Sequence, residues 1–390
     1  MRKVCVFIGS RANYSSAKAI MRAVANRDDL QLQVVLGAAA VLDRFGNIER
    51  LIKEDGFTVD SKFYMIVEGE NPITMAKSAG LGIIELSMIF DNLKPDIVLV
   101  VGDRFDIMAP AVAASYMNIP LAHTMGGEVS GTIDESIRHA VTKLAHIHFP
   151  ANEDARQRII RLGEQPERVF NVGCPRIDLV KEYLEQHRNG QRIDQDRFFQ
   201  TYKGVGGRFD IEKESFLLVS QHPVTTEYGK NQTQIEETLY ALQAIRMPTI
   251  MIWPNVDAGS DEVSKAIRHF REVYKPDWLH LFINLPISIY VKLMDLCACL
   301  IGNSSSAIRE GAFIGVPAVN VGTRQAHRVR GSNVRDTGYD REEIAAAVKA
   351  WLGVPRPKAE AIYGCGDAGP RIAATLAGLD SLAVQKTIAY

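Results

Sequence analysis

The chain has 390 residues, 45 Lys and Arg against 46 Asp and Glu, 46% hydrophobic and 23% charged residues. That length and balance suit a soluble globular protein of two domains, and a net charge of −1 excludes a global field for nucleic acid or an anionic membrane. The scattered cysteines Cys5, Cys174, Cys297, Cys299 and Cys365 have no CxxC spacing, which argues for a reducing compartment, read as the cytoplasm, and against a zinc site.

The first apolar run is residues 4–8, a buried parallel strand ending at Gly9. The basic start and this run are too short for a signal peptide, and no segment approaches the ~18 apolar residues of a membrane span. SRANYSS reads as a polar loop carrying Arg11, Asn13 and Ser15, either ligand-binding or plain turn residues. Ala17, Ile20, Met21 and Val24 then recur at helical spacing. Strand, loop and helix in this order open a doubly wound sheet, whose ligands sit beyond the carboxyl ends of the strands. A strand over 32–37, a helix over 41–52 and a helix over 72–93 stopped by Pro95 follow. The most apolar strand spans 97–101, with Gly102-Asp103-Arg104-Phe105-Asp106 at its carboxyl end. A helix over 107–117, a strand over 120–123, a helix with Ile133, Ile137, Ala140, Val141 and Leu144 on its apolar face, and strands over 147–150 and 168–172 complete the first sheet. His139, His146 and His148 form no one-faced metal pattern and read as core or surface histidines.

Residues 183–213 are polar and without apolar period, and the connection between domains is placed there. The expected division is 1–185, a connection over 186–213, 214–368, and a C-terminal helix in 369–390 that could cross back onto the first domain. The second domain alternates strands at 216–220, 249–253, 279–283, 299–301 and 318–321 with helices at 232–245, 262–274, 286–296 and 307–314. The fold class is α/β: two Rossmann-like doubly wound domains, with a ligand expected in the cleft between them.

Two stretches carry the chemistry. In His123–His139, HTMGGEVSGTIDESIRH, a glycine pair lets the backbone approach a ligand closely. Glu128, Asp134 and Glu135 then crowd together. Their repulsion raises a carboxylate pKa and suits proton transfer; the other reading is a turn before an ordinary capped helix. In GNSSSAIRE, Ser304 and Ser305 are delivered to a helix start that suits a diphosphate, and Glu310 is placed to accept ribose hydroxyls. Here the alternative is a serine cap and a surface glutamate. No GxxxxGK[ST] or GxSxG occurs and no GxGxxG follows the first strand, which argues against a P-loop NTPase and a standard NAD-binding domain.

With SRANYS, KPDIVLVVGDRFD, GGEVSGTIDESIRHAVTKLAH, GCPRID, QHPVTT, PNVDAGS, GNSSSAIREGAFIGVPAVNVGTRQ and YGCGDAGPRI in view, the chain resembles the hydrolysing UDP-N-acetylglucosamine 2-epimerases. These include the bacterial sialic and legionaminic acid types and the epimerase half of the bifunctional animal enzyme. The resemblance implies a GT-B-like fold. It implies that Arg11, Ser15, Arg104, His222, Asn255, Ser304, Ser305, Glu310 and Arg324 contact a nucleotide diphosphate, with uracil near Leu285. It implies that Asp103 is a catalytic carboxylate with Glu128 and Asp134 close by, and that His222 helps stabilise the leaving group. Many relatives carry a carboxylate or histidine where this chain has Met125, which transfers no proton, so that role passes to Glu128 or Asp134, or the sugar differs. Relatives often have aspartate where this chain has Asn13, which leaves Asn13 a binding candidate only.

The implied reaction removes the C2 proton of a UDP-N-acetylglucosamine-type sugar, expels UDP to give a 2-acetamidoglucal, and rehydrates it to N-acetylmannosamine, for sialic acid-type biosynthesis. It needs no cofactor and no metal. The expected partners are the UDP-sugar substrate and further copies of the chain, as a homodimer or homotetramer, with no nucleic acid and no membrane. The rivals are the 2,4-diacetamido-6-deoxy sugar of the legionaminic pathway as substrate, a GT-B glycosyltransferase, a non-hydrolysing epimerase, and a non-catalytic sugar-nucleotide sensor in which Met125 marks a dead site.

Overall fold

A computed structural model describes residues 1–43, 48–69, 71–202, 204–255, 257–380 and 384–389. Two compact units emerge. The first comprises Met1–Val129, Ile133–Leu179 and Tyr363–Tyr390, and the second Ser130–Thr132 and Val180–Ile362.

The first unit runs β1 (Arg2–Ile8), α1 (Arg11–Ala25), β2 (Leu30–Leu36), α2 (Ile48–Glu54), β3 (Ser61–Lys62), α3 (Pro72–Leu93), β4 (Ile97–Val101), α4 (Phe105–Tyr116), β5 (Leu121–Thr124), α5 (Ile133–Leu144), β6 (Ile147–Phe149) and α6 (Glu153–Arg161). Its strands order as β3-β2-β1-β4-β5-β6, and the pairings are parallel. Every residue of β4 is buried, as a central parallel strand covered on both faces requires. Cys5 and Phe7 of β1 and Val98 and Val100 of β4 enter one core with Leu86 and Phe90 of α3. The strand order reverses between β1 and β4, which is where open α/β sheets place their ligands.

Helix α7 (Pro175–Arg188) begins in the first unit and ends in the second. The second unit continues with α8 (Gln195–Thr201), β7 (Val205–Gly206), β8 (Leu217–Ser220), α9 (Asn231–Ile245), β9 (Thr249–Ile252), α10 (Ser260–Tyr274), β10 (Leu279–Phe282), α11 (Ile287–Leu296), β11 (Cys299–Gly302), α12 (Arg309–Ile314), β12 (Ala318–Val321), β13 (Val334–Thr337) and α13 (Arg341–Leu352). Its order, β13-β12-β11-β8-β9-β10-β7, repeats the first unit's topology with an added antiparallel edge, and the reversal falls between β8 and β11. Leu217 and Val219 face one core and Leu218 the other, so strand alternation fills both faces. The fold is GT-B-like, two Rossmann-like units.

Several expectations are corrected. The stretch 186–213 is no bare linker: Ile193, Phe198, Phe199, Phe209 and Ile211 are buried in the second unit's core, from a short helix and loops that leave no sustained period. The chain passes between units at Val180 inside α7, and returns at Tyr363. Residues 168–172 give a single bridge, His148 to Val169, in place of a strand. The helix expected over 41–52 reduces to α2 after a 3₁₀ turn at Ala38–Val41, with residues 44–47 outside the described set. Helix α3 is, by length and composition, apolar enough to cross a membrane. Its uninterrupted apolar runs are short because Lys77, Glu85, Asp91 and small residues such as Ser78, Gly80 and Gly82 break them. It buries Ser78, Gly82, Leu86 and Phe90 within the unit and exposes Ile73, Leu81, Ile84 and Met88.

The last helix, α14 (Ala368–Gly378), belongs to the first unit and packs on α1. The Asp178 carboxylate of α7 accepts the Ala368 and Gly369 N–H groups at 3.0 and 2.7 Å, which caps this helix start. Burial pushes Asp178 up to about 6 even so.

Candidate active site

At the end of β1 the first two turns of α1 replace the expected loop. Ser10 caps the helix by accepting the Asn13 N–H, so Arg11, Asn13 and Ser15 are all helical. Asn13 Nδ2 donates to Val101 O at 2.7 Å and Oδ1 accepts the Gly9 N–H at 3.3 Å, tying the ends of β1 and β4 together at the switch point. Ser15 is buried and its hydroxyl donates to Arg11 O at 3.0 Å. The polar atoms of Asn13 and Ser15 thus serve the fold, while Arg11 is partly exposed at the first helical position.

Asp103 and Arg104 follow β4, and Arg104 occupies the N-cap position of α4 without a side-chain capping bond, its guanidinium 5.7 Å from the centre of the Phe105 ring. Behind Asp103 stands Arg138 of α5, 0% exposed. Its Nε donates to Asp103 Oδ2 at 2.9 Å, Nη2 bonds the same oxygen, and Nη1 donates to Glu128 O at 2.7 Å. Arg138 thus joins the loops that carry Asp103 and Glu128. Glu128 is 3% exposed, and Asp134 lies in the first turn of α5, where the positive helix end favours a carboxylate. The acidic group is therefore balanced by a buried cation, and mutual repulsion is only part of its electrostatics.

The loop between β5 and α5 is shaped by glycine. At Gly127, with φ +75°, a Cβ would lie 2.3 Å from Ala155 O, so only glycine lets the turn pass α6. His123, buried at the end of β5, donates from Nε2 to Gly102 O at 2.8 Å and accepts the Thr142 hydroxyl at Nδ1, 3.3 Å away. Burial pushes His123 down to about 4, so it is neutral at pH 7 and consistent with both bonds. Met125 is buried with its sulfur 3.6 Å from Cys174 Sγ.

In the second unit the loops after β8 and β11 meet at their switch point. Asn303 accepts the His222 N–H at 2.7 Å and donates back to His222 O at 2.8 Å. The Asn255 N–H donates to His222 Nδ1 at 3.2 Å, which leaves the ring proton of the neutral form on Nε2. Arg324 Nη1 donates to Asn303 O at 3.3 Å, and its Nη2 lies 3.8 Å from Asp257, which also accepts Asn255 Nδ2 at 2.5 Å. Gly302, φ +126°, has no room for a side chain: a Cβ would lie 2.3 Å from Ser220 O.

Ser304 and Ser305 are partly exposed, but they open a 3₁₀ turn, Ser305–Ala307, capped by Ser304. The helix proper begins at Arg309, so the serines offer turn N–H groups and hydroxyls rather than the start of a long dipole. Glu310 is 1% exposed in the first turn of α12. Leu285 is 6% exposed and lies in the core under α11, so its side chain offers a ligand little surface. His148 is buried with Nε2 3.0 Å from Glu164. Among the described residues no group of three or more His, Cys, Asp or Glu is placed to hold a metal.

The structure thus brings Arg11, Asn13, Asp103, Arg104, Glu128 and Asp134 to strand ends of the first unit, and His222, Asn255, Ser304, Ser305, Glu310 and Arg324 to those of the second. Comparison with known proteins agrees with this architecture. The profile of the family described as UDP-N-acetylglucosamine 2-epimerase matches residues 22–377. The UDP-N,N'-diacetylbacillosamine 2-epimerase (hydrolyzing) of Legionella pneumophila is 32% identical over 95% of this chain and 94% of its own length. The UDP-N-acetylglucosamine 2-epimerase of Neisseria meningitidis is 26% identical over 94% of this chain and 92% of its own. A crystal structure of UDP-GlcNAc 2-epimerase from Neisseria meningitidis bound to UDP-GlcNAc superposes with a TM-score of 0.80 at 18% identity, covering 96% of this chain and 99% of that one.

Proposed function

The chain belongs to the UDP-N-acetylglucosamine 2-epimerase family, and from that premise we propose that it is a hydrolysing 2-epimerase of a UDP-N-acetylglucosamine-type sugar, releasing UDP and the 2-inverted sugar. The observation that carries the reading is the set of carboxylates in the loops and first helical turn after the strands of the first unit, with the Asp103 carboxylate and the Glu128 main-chain carbonyl joined through one buried arginine. Proton removal and return at a carbon beside an anomeric centre need two acid–base groups, and Asp103, Glu128 and Asp134 are the candidates.

In the proposed reaction a carboxylate takes the C2 proton. The C1–O bond breaks with its electron pair leaving on UDP, and a 2-acetamidoglucal remains. Water adds its hydroxyl at C1, and a proton returns to C2 from the opposite face. Negative charge grows on the leaving diphosphate. His222, whose Nε2 lies 3.4 Å from the Ser220 hydroxyl, Arg324, and the Ser304–Ser305 turn are the second unit's groups that suit that charge. A second reading of the substrate, a 2,4-diacetamido-6-deoxy sugar nucleotide, is supported by the higher identity to the diacetylbacillosamine enzyme. A time course by proton NMR with a panel of UDP- and GDP-linked sugars separates these readings. Release of free 2-inverted sugar with UDP supports the proposal, and the faster substrate names the sugar. Retention of the sugar on UDP, or no reaction without an acceptor, points instead to a non-hydrolysing epimerase or a transferase.

Glu310→Ala is expected to weaken UDP binding by about 1–3 kcal/mol, since charge-assisted bonds to the ribose hydroxyls would be lost. Isothermal titration calorimetry with UDP checks this, and unchanged affinity would remove Glu310 from the nucleotide site.

A further inference from the structure

We infer that Arg138 is the positioning residue of the acid–base machinery, holding the Asp103 carboxylate in place and ionised while fixing the backbone that presents Glu128. The inference rests on the hydrolase–epimerase reading and deepens it.

The geometry is specific. Arg138 is 0% exposed, whereas the Asp103 side chain keeps 21% of its surface. The carboxylate therefore reaches towards solvent with its counter-ion behind it. A buried guanidinium is costly unless its donors are matched. Here Nε and Nη2 both go to Asp103 Oδ2, and Nη1 goes to Glu128 O. One planar fork thus spans the loops after β4 and β5. A lysine could not do this, because its donors do not diverge in a fixed plane. One turn further along α5, Thr142 bonds His123, and His123 bonds Gly102 O, the carbonyl just before Asp103. Helix α5 thereby sets both the main chain and the side chain of Asp103.

Charged or titratable groups near the pair include Arg104 and Asp106 at the start of α4, His123 and His148 on β5 and β6, Glu128 in the loop after β5, Asp134, Glu135 and His139 on α5, and Arg158 of α6, which donates to Gly127 O. Arg138 is a cation bonded directly to Asp103. Removing it takes away the attraction that favours the charged carboxylate, so the titration of Asp103 moves to higher pH.

The test compares wild type with Arg138→Met and Arg138→Lys, using intact full-length protein. The carboxyl carbon of Asp103 is followed by ¹³C NMR against pH, its signal assigned by its loss in Asp103→Asn. Turnover and UDP affinity are measured alongside. Expected in Arg138→Met is a midpoint at least about one unit higher, kcat down roughly 100-fold, and UDP affinity within about twofold of wild type. Arg138→Lys keeps the charge without the fork, so it restores most of the midpoint but only part of kcat. A folded Arg138→Met with an unmoved Asp103 midpoint and native kcat overturns the inference. If that variant does not fold, Arg138→Lys decides alone, and native kcat there overturns it. Wild type that turns over no sugar nucleotide sinks the functional reading instead. The Asp103 midpoint still decides the role of Arg138 in that case, because it needs no turnover.

Discussion

Asp103→Asn is expected to fold, to bind UDP nearly as wild type does, and to release UDP from its sugar nucleotide at least ~100-fold more slowly, the loss that removal of an acid–base group brings. The change is close to isosteric and sits at the carboxyl end of β4 in the first unit. Its amide oxygen can still accept from Arg138, but it carries no charge. The buried guanidinium then loses this counter-ion, and melting temperature should fall by several degrees. The contrast between kcat and UDP affinity is the informative quantity. A variant that lost both would report a disturbed fold, which circular dichroism would reveal. Near-native turnover in folded Asp103→Asn would remove Asp103 from the mechanism and leave Glu128 and Asp134 to share both proton transfers.

What was legible in the sequence follows from what a linear pattern encodes. The five apolar residues of β4 and the continuous buried runs of β8 and β11 are dictated by burial in a parallel sheet, and they locate both switch points. Helix α3 announces itself by the capping Asn71, Pro72 at its first position and Pro95 beyond its end. The failures are equally physical. The first turns of α1 look like a loop because Ser10, Asn13 and Ser15 are polar, yet each finds a partner inside the unit. Strand β13 and helix α13 were not anticipated: β13 is a polar edge strand, though α13 does show Ile344, Val348 and Trp351 at helical spacing behind its Asp340 cap.

Helix α5 is the most instructive case. Choosing only apolar residues gave a face of Ile133, Ile137, Ala140, Val141 and Leu144. Ile137 and Leu144 do pack, partly buried, against the core with Val141, but the fully buried residues are Arg138, Val141 and Thr142, with Ala145 just beyond the helix, and Ile133 is exposed. The spacing of 138, 141, 142 and 145 is as helical as the chosen one, but its first member is charged. A charged residue on a buried stripe is the signal that would have found Arg138, because such a residue is placed there only to meet an opposite charge.

The decisive expectation concerns hydrogen at C2. Elimination and rehydration break the C2–H bond and rebuild it with a proton from an enzyme group. Run in D₂O, the reaction should give N-acetylmannosamine, or its 2,4-diacetamido counterpart, with essentially complete deuteration at C2. Two features make the proton source exchangeable. Asp103 keeps 21% of its side-chain surface, and Asp134 is partly exposed at the start of α5, so either meets solvent. Met125, whose sulfur is buried against Cys174, supplies no proton, so the groups proposed for the return step are Asp103, Glu128 and Asp134. A redox epimerase that parked the hydride on a bound nicotinamide would return the original hydrogen. A hydrolase or transferase that cleaved only C1–O would leave C2 protiated and uninverted. Proton and deuterium NMR of the released sugar distinguish all three, and an uninverted product carrying protium at C2 would defeat the hydrolysing 2-epimerase reading, because no elimination can have occurred.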